Sequence, residues 1–470
     1  RIFYVLTKRF IQGDGKKHGD RITIARDEDC FSIFYHMGNN LTGFVSQVCN
    51  GSNERDLRQR WNVHSRHNIR HKYVCCQEAG CIRMYKELFA CSRARIHSWY
   101  DGYMRIAVLA PPYLPVPPPL YGGTEKIVSL LTEGLVEKGH DVTLFASGDS
   151  KTSAKLFSIF PIALGNSGLL KTDIEKPLAH YKACYDRADE FDIIHSHGQY
   201  TSLFGAVGVQ TPVVFTWHGS FYKGEAPEEK RAMLQKHSNL NYISISFNQR
   251  AGMKNLHFVA TVYNALDIAE YRYVPQVKND YLLWIGRMSP KKGAYEAILA
   301  AKKAGIRLEM AAAIDPIDRE YFEEKIKPLI DGKSVIYHGE IGHEALVELY
   351  SGAMATLYPI SWHEPFGLVM TESMACGTPV IAYNIGSVSE IVRDGVTGYI
   401  VEENTDQTNE TNKSNKSNLI IQKTGVAGLV EAIKRIGEID RFACRNYIED
   451  HFSKERMVSE YEEVYKKLKN

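Results

Sequence analysis

No apolar run in these 470 residues approaches the ~20 that a helix needs to cross a bilayer. A short apolar leader core at the N-terminus is lacking too. The expectation is a cytoplasmic chain without a membrane span, with room for peripheral contact at the inner membrane face. Charge of one sign is also missing: 57 Lys and Arg against 55 Asp and Glu leave a formal +2, which gives no electrostatic case for nucleic acid as a partner. Cysteine is scarce beyond residue 100. Cys30, Cys49, Cys75, Cys76, Cys81 and Cys91 crowd the first hundred residues, whereas only Cys184, Cys376 and Cys444 follow, in apolar or helical settings that suit free core thiols. His67 and His71 have the spacing of a zinc finger's histidine half, but they precede Cys75, Cys76 and Cys81 and no C-x2-C pair accompanies them. No metal site is expected. G-x-G-x-x-G after a strand is absent as well, because Gly122-Gly123 is followed by no third glycine. That argues against a nicotinamide-dependent oxidoreductase.

What is present is an ordinary globular composition, 44% apolar and 24% charged, in a length that suits about three domains. Residues 1–103 are foreign to the rest, rich in Arg, His and Cys and without clear periodicity. Two readings of them stay open, an upstream extension or a domain of its own. Asp27-Glu28-Asp29 within them lacks a strand context for metal binding and reads as a turn. From Met104 the pattern alternates strand and helix, which implies parallel sheets flanked by helices. Strands are expected at Ile106–Ala110, Asp141–Ala146, Asp192–His195, Val213–Thr216 and Asn241–Ser246. A second set is expected at Tyr281–Gly286, Leu308–Ala313, Ser334–Tyr337, Ala355–Tyr358 and Pro379–Tyr383. Thr124 is expected to cap a helix that ends at Gly139. The division that follows is an extension at 1–103, Rossmann-like halves at 104–265 and 266–450, and a closing helix at 451–470. The polar run 404–418 reads as a solvated insertion.

The most informative segment runs from Glu364 through Pro365, Phe366, Gly367 and Leu368 to Glu372, with an apolar stretch to Gly377 and a strand beyond. Loop, short helix, glycine stop and strand is the natural parse. The two carboxylates then bracket a helix N-terminus, whose unpaired N–H groups attract phosphate oxygens. A bare E-x7-E is more often an ordinary surface helix with two acids, so its company decides.

That company resembles the retaining GT-B glycosyltransferases, specifically glycosyltransferase family 4, which includes bacterial and archaeal mannosyl- and glucosyltransferases. Met104–Ala110 with Tyr121-Gly122-Gly123-Thr124-Glu125 is similar to the family's first strand and glycine loop, and Thr216-Trp217-His218-Gly219 to the strand end with its histidine. Gly286-Arg287-Met288-Ser289-Pro290-Lys291-Lys292-Gly293 is similar to its phosphate clamp, and Glu449 to Tyr461 to its closing helix. The resemblance covers residues 104–470. It implies two Rossmann-like domains facing a cleft, and transfer of a hexosyl unit from a UDP-, GDP- or ADP-sugar to a hydroxyl with retention, without metal or cofactor. The acceptor would be a saccharide, a lipid-linked molecule or a small molecule, and the alternative within this fold is a non-catalytic or epimerase-type sugar-nucleotide-binding protein, against which the intact Arg287, Lys292, Glu364 and Glu372 argue.

By that resemblance Arg287 and Lys292 meet the departing phosphates, although a lone Arg-x4-Lys on a turn is usually solvated. Gly122 and Gly123 allow close approach of backbone to the donor. His218 contacts the donor sugar near the reacting carbon, while His195 and His197, which end the neighbouring strand, are second-tier candidates. Glu364 holds the sugar's hydroxyls, Glu372 the ribose, and Phe366, Gly367 and Leu368 offer backbone N–H groups to the diphosphate. The chain departs from the family's pattern at Ala311-Ala312-Ala313, where glycine is common, and at Gly386-Ser387-Val388-Ser389-Glu390, where Gly and Pro are usual.

Overall fold

In the computed structural model the chain divides into two compact units, Arg1–Asp101 and Gly102–Asn470. Described in full are residues 103–120, 122–166, 174–277, 280–403 and 419–469, and before them the backbone of four strands. Those strands, β1 (Arg21–Asp27), β2 (Cys30–His36), β3 (Phe44–Cys49) and β4 (Lys72–Cys75), pair in chain order, antiparallel up to β3 and parallel between β3 and β4. Glu28, Asp29, His67, His71, Cys81 and the 404–418 run lie outside the described residues.

The second unit holds two parallel sheets. In its N-terminal half, β5 (Arg105–Leu109), β6 (Asp141–Phe145), β7 (Lys155–Phe157), β8 (Ile193–Ser196), β9 (Val213–Thr216), β10 (Asn241–Ser244) and β11 (Phe258–Thr261) lie in the order β11-β10-β9-β8-β5-β6-β7. In its C-terminal half, β12 (Tyr281–Arg287), β13 (Arg307–Ala313), β14 (Val335–Tyr337), β15 (Thr356–Tyr358), β16 (Val380–Tyr383) and β17 (Gly398–Val401) lie in the order β14-β13-β12-β15-β16-β17. The ten strands expected from pattern are all here, with ends moved by two residues at most. Missing from that expectation were β7, β11 and β17, of three or four residues each, too short to show a period. Strands β8, β9 and β16 are buried along their whole length, as parallel strands covered on both faces must be.

Strand order reverses between β5 and β8 in one sheet and between β12 and β15 in the other. A crevice opens at the carboxyl ends of such pairs, and ligands of doubly wound sheets settle there. One local expectation is corrected. The helix after β5 spans Gly123–Glu137 and is entered through Gly122 at φ 157, while Thr124 lies inside it and no side chain caps it. A glycine that leaves the chain free to turn sharply takes the place of a capping hydroxyl.

The chain crosses between the halves at Val262–Asp267 and returns at Phe452–Ser453, where Leu266 exchanges backbone hydrogen bonds with Phe452 and Lys454, each 3.0 Å. The helix Lys454–Lys469 then places Met457, Val458, Tyr461 and Tyr465 in the core of the N-terminal half. Cys184, Cys376 and Cys444 are buried free thiols. Among the described residues no helix is long and apolar enough to cross a membrane.

Candidate active site

Two helix starts from opposite halves meet at the cleft. A Cβ built on Gly123 would stand 3.5 Å from Cδ1 of Leu368, the first residue of the helix Leu368–Ala375. That helix is entered through Gly367 at φ 84, where an added Cβ would lie 2.9 Å from the Tyr358 hydroxyl. Glycine is the residue that tolerates both the left-handed backbone and the crowding. Pro365 and Phe366 lead into this turn, and the Phe366 side chain is buried between Tyr263 and Phe452 at the crossing of the halves. The Phe366 ring therefore packs at the crossing of the halves. Ser387 braces the same loop by donating from Oγ to the Phe366 carbonyl at 2.6 Å.

Lys292 and Glu364 are brought together as a mostly buried ion pair, Nζ to Oε2, with the lysine ammonium 5.0 Å from the Trp362 ring centroid. Lys292 is placed by the turn that ends at Gly293, whose φ is 73. Arg287, at the end of β12, is not part of that pair. Its half-exposed guanidinium leans on Asp318 instead, at 3.4 Å. The two cations thus sit beside the cleft, each with its own carboxylate.

Glu372 is buried in the helix Leu368–Ala375. Its Oε1 receives Lys126 Nζ at 2.8 Å and the Tyr271 hydroxyl at 3.1 Å, and its Oε2 receives the Tyr350 hydroxyl at 3.2 Å. Burial pushes this carboxyl up, but Lys126 and the two hydroxyls outweigh it and hold the group below its ordinary range.

On the N-terminal side, His218 follows β9. Gln249 fixes its backbone by donating to the carbonyls of Trp217 and Gly219, at 2.7 and 2.8 Å. His218 Nε2 meets His197 Nδ1 at 2.9 Å, with the rings stacked. Behind them His195 bonds Tyr465 and Thr216 at 2.6 and 2.8 Å. Burial drives all three imidazoles toward the neutral form, His218 down to about 4 and His195 to about 3. Neutral rings are hydrogen-bonding groups at pH 7, not cations. Glu125, buried in the first turn after the glycine pair, is pushed up to about 7 by desolvation.

Sequence reasoning missed Lys126, Asp318 and the cross-cleft contacts. Glu225 accepts from the His363 backbone N–H at 2.9 Å and meets its Nδ1 at 2.8 Å, while Tyr222 stacks on the His363 ring at 3.7 Å. Glu390 accepts the backbone N–H groups of Phe247 and Asn248, both at 2.7 Å. Nothing local marks these residues, because the partners of Lys126, Glu225 and Glu390 lie in the other half and Asp318 is 31 residues from Arg287 along the chain.

Residues 121–267 match the family described as Glycosyltransferase Family 4, and residues 270–416 match Glycosyl transferases group 1. The two matches adjoin and take in the glycine pair, His218, Arg287, Lys292 and the Glu364–Glu372 segment. An uncharacterized glycosyltransferase of Methanocaldococcus jannaschii is 25% identical over 348 residues, which is 64% of this chain and 86% of that one. Sucrose-phosphate synthase from Thermosynechococcus elongatus superposes with a TM-score of 0.62 at 21% identity, over 77% of this chain and 98% of that one. An Anabaena protein in complex with UDP-glucose superposes with a TM-score of 0.57 at 16% identity, over 78% of this chain and 100% of that one. The two solved structures share its fold.

Proposed function

Because the chain belongs to the GT-B glycosyltransferases of the family 4 type, we propose that it moves a hexosyl unit from a nucleotide-diphosphate sugar to an acceptor hydroxyl with retention of configuration. The observation that carries this reading is the meeting of Gly123 and Leu368 at two opposed helix starts, with Glu364, three residues before Gly367, held by Lys292. Diphosphate oxygens suit the unpaired N–H groups of such a turn. Lys292 is then shared between Glu364 and the phosphate, and Arg287 approaches from the end of β12.

In the reaction the bond from the anomeric carbon to the phosphate oxygen breaks, and its electron pair leaves with the phosphate. Lys292 and Arg287 meet the charge that grows there. The acceptor oxygen attacks the same face and passes its proton to the departing phosphate oxygen. Glu364 and the neutral His218 hold the sugar's hydroxyls meanwhile. Glu372 takes the ribose hydroxyls. The acceptor is a saccharide, a lipid-linked molecule or a small molecule that docks on the N-terminal side.

UDP-glucose is a reasonable first donor, since a protein of this fold has been crystallised with it. The test is release of nucleotide diphosphate from UDP-, GDP- and ADP-sugars with and without an acceptor panel, followed by the anomeric configuration of the product by NMR. Acceptor-dependent release with retained configuration supports the reading. An inverted product removes retention, and failure of all three donor classes to bind or turn over removes the function.

A further inference from the structure

Lys126 occupies an electrostatically poor position. It lies in the first turn of the helix Gly123–Glu137, its backbone N–H bonded to the Gly122 carbonyl at 3.0 Å. The N-terminal end of a helix disfavours a cation. What offsets this is in the other half. Side chains in a helix lean back toward its N-terminus, so the lysine stem leads past the glycine pair. Its ammonium ends 2.8 Å from Oε1 of Glu372 and 2.6 Å from the Tyr271 hydroxyl. Among the described residues, Lys126 is the cation hydrogen-bonded to this buried carboxylate. Oε1, with two donors, is filled. Oε2 has the Tyr350 hydroxyl alone and retains an acceptor position.

We propose that Lys126 is a positioning residue for the donor nucleotide, reaching across the cleft to hold Glu372 by Oε1 and to leave Oε2 for the ribose hydroxyls. This rests on the reading of Glu372 as the ribose ligand. Lys126 belongs to one half and the carboxylate to the other, so each aligned contact requires the halves to be together. Nucleotide binding and closure of the cleft then favour one another, because the competent carboxylate exists only in the closed arrangement.

The test is calorimetry with whichever of free UDP, GDP or ADP binds the parent most tightly, on four full-length variants: Lys126→Met, Lys126→Arg, Glu372→Gln and the Lys126→Met/Glu372→Gln pair. Circular dichroism establishes that each is folded. Lys126→Met is expected to weaken nucleotide binding by roughly 10-fold and to raise the donor KM more than it lowers kcat. Lys126→Arg recovers most of the affinity. The double variant should bind no worse than Glu372→Gln alone, since a lysine that acts through Glu372 has nothing left to do once the carboxylate is gone. Parental affinity in Lys126→Met, or a double variant whose loss is the product of both single losses, overturns the assignment of Lys126. Parental affinity in Glu372→Gln overturns the ribose reading, and this proposal with it. A weakened Glu372→Gln beside an unchanged Lys126→Met removes Lys126 alone.

Discussion

At the scale of single residues, the site pairs charges that local sequence does not pair. Lys292 is paired with Glu364, and Arg287 with Asp318. If they meet charge that develops in the transition state, Arg287→Ala and Lys292→Ala should each lower kcat by roughly 10²–10³. Steady-state kinetics checks this, and near-parental rates in both would remove the clamp. If Glu364 faces the sugar, as proposed, it stands where positive charge grows as the bond breaks. Glu364→Gln should therefore reduce kcat while affinity for the free nucleotide, measured by calorimetry, stays within about threefold. The buried titratable groups also set a pH dependence of stability. His195 and His218 have folded values of about 3 and 4, below the ordinary 6.5, so the unfolded chain binds more protons as pH falls below 6.5. Their contribution is present above pH 6.5 and is lost as pH falls toward 4. Glu125, raised to about 7, has the opposite sign, and its contribution is lost as pH rises from 4.5 through 7. His197 is shifted in the histidines' direction, so the net expectation is a melting temperature that falls from pH 6.5 to 5. Glu125→Gln should steepen that fall, and calorimetric scans across the range decide it.

At the scale of elements, glycines place the machinery. Gly293 sits in the left-handed region between Lys292 and the helix Ala294–Ala304, and an added Cβ would come within 1.9 Å of the Pro359 carbonyl oxygen. No rotamer relieves a clash with backbone. Gly293→Ala should cost about 2–4 kcal/mol from the dihedral and the crowding together. It should also displace Lys292, so a denaturant midpoint and a kcat measured on the folded fraction are both expected to drop. An unchanged midpoint would mean that β12 and β15 can move apart locally. The turn at Gly367 and the glycine pair ahead of the helix after β5 were legible as punctuation before apolar runs, since that signal is local, whereas the cap at Gly122 in place of Thr124 was not. The short strands β7, β11 and β17 were not, because two or three side chains show no period and their pairing is decided by the neighbouring strand.

At the scale of the whole molecule, the second unit has extensive apolar cores of its own. Among the described residues, three clusters of buried apolar side chains are drawn from Met104 and beyond, and both parallel sheets lie in Gly102–Asn470. A chain that starts at Met104 is expected to be soluble and to turn over donor at a rate comparable to the full chain. Gel filtration and the nucleotide-release assay test this, and an aggregated or inactive product would make the first unit part of the catalytic fold. The closing helix is a different matter, since Tyr461 and Tyr465 are fully buried in the N-terminal half. A chain ending at Ser453 should lose that half's stability, with each buried tyrosine accounting for roughly 2 kcal/mol.

Sequence by itself determined the alternation of strands and helices from Met104, the glycine turns, the cations after β12 and the two carboxylates around a helix start. Each of these is written in a window of a dozen residues, through hydrophobic period and backbone punctuation. Tertiary structure alone decided the partners. Lys126 and Glu372 are separated by 246 residues, and Lys292 and Glu364 by 72. Glu225 meets His363 across 138 residues. A charged side chain carries no record of its partner in its neighbours along the chain. The pairings follow from where two sheets place their carboxyl ends, and from the low dielectric of the buried cleft, which makes an unpaired charge there costly enough that the fold must supply its counterpart.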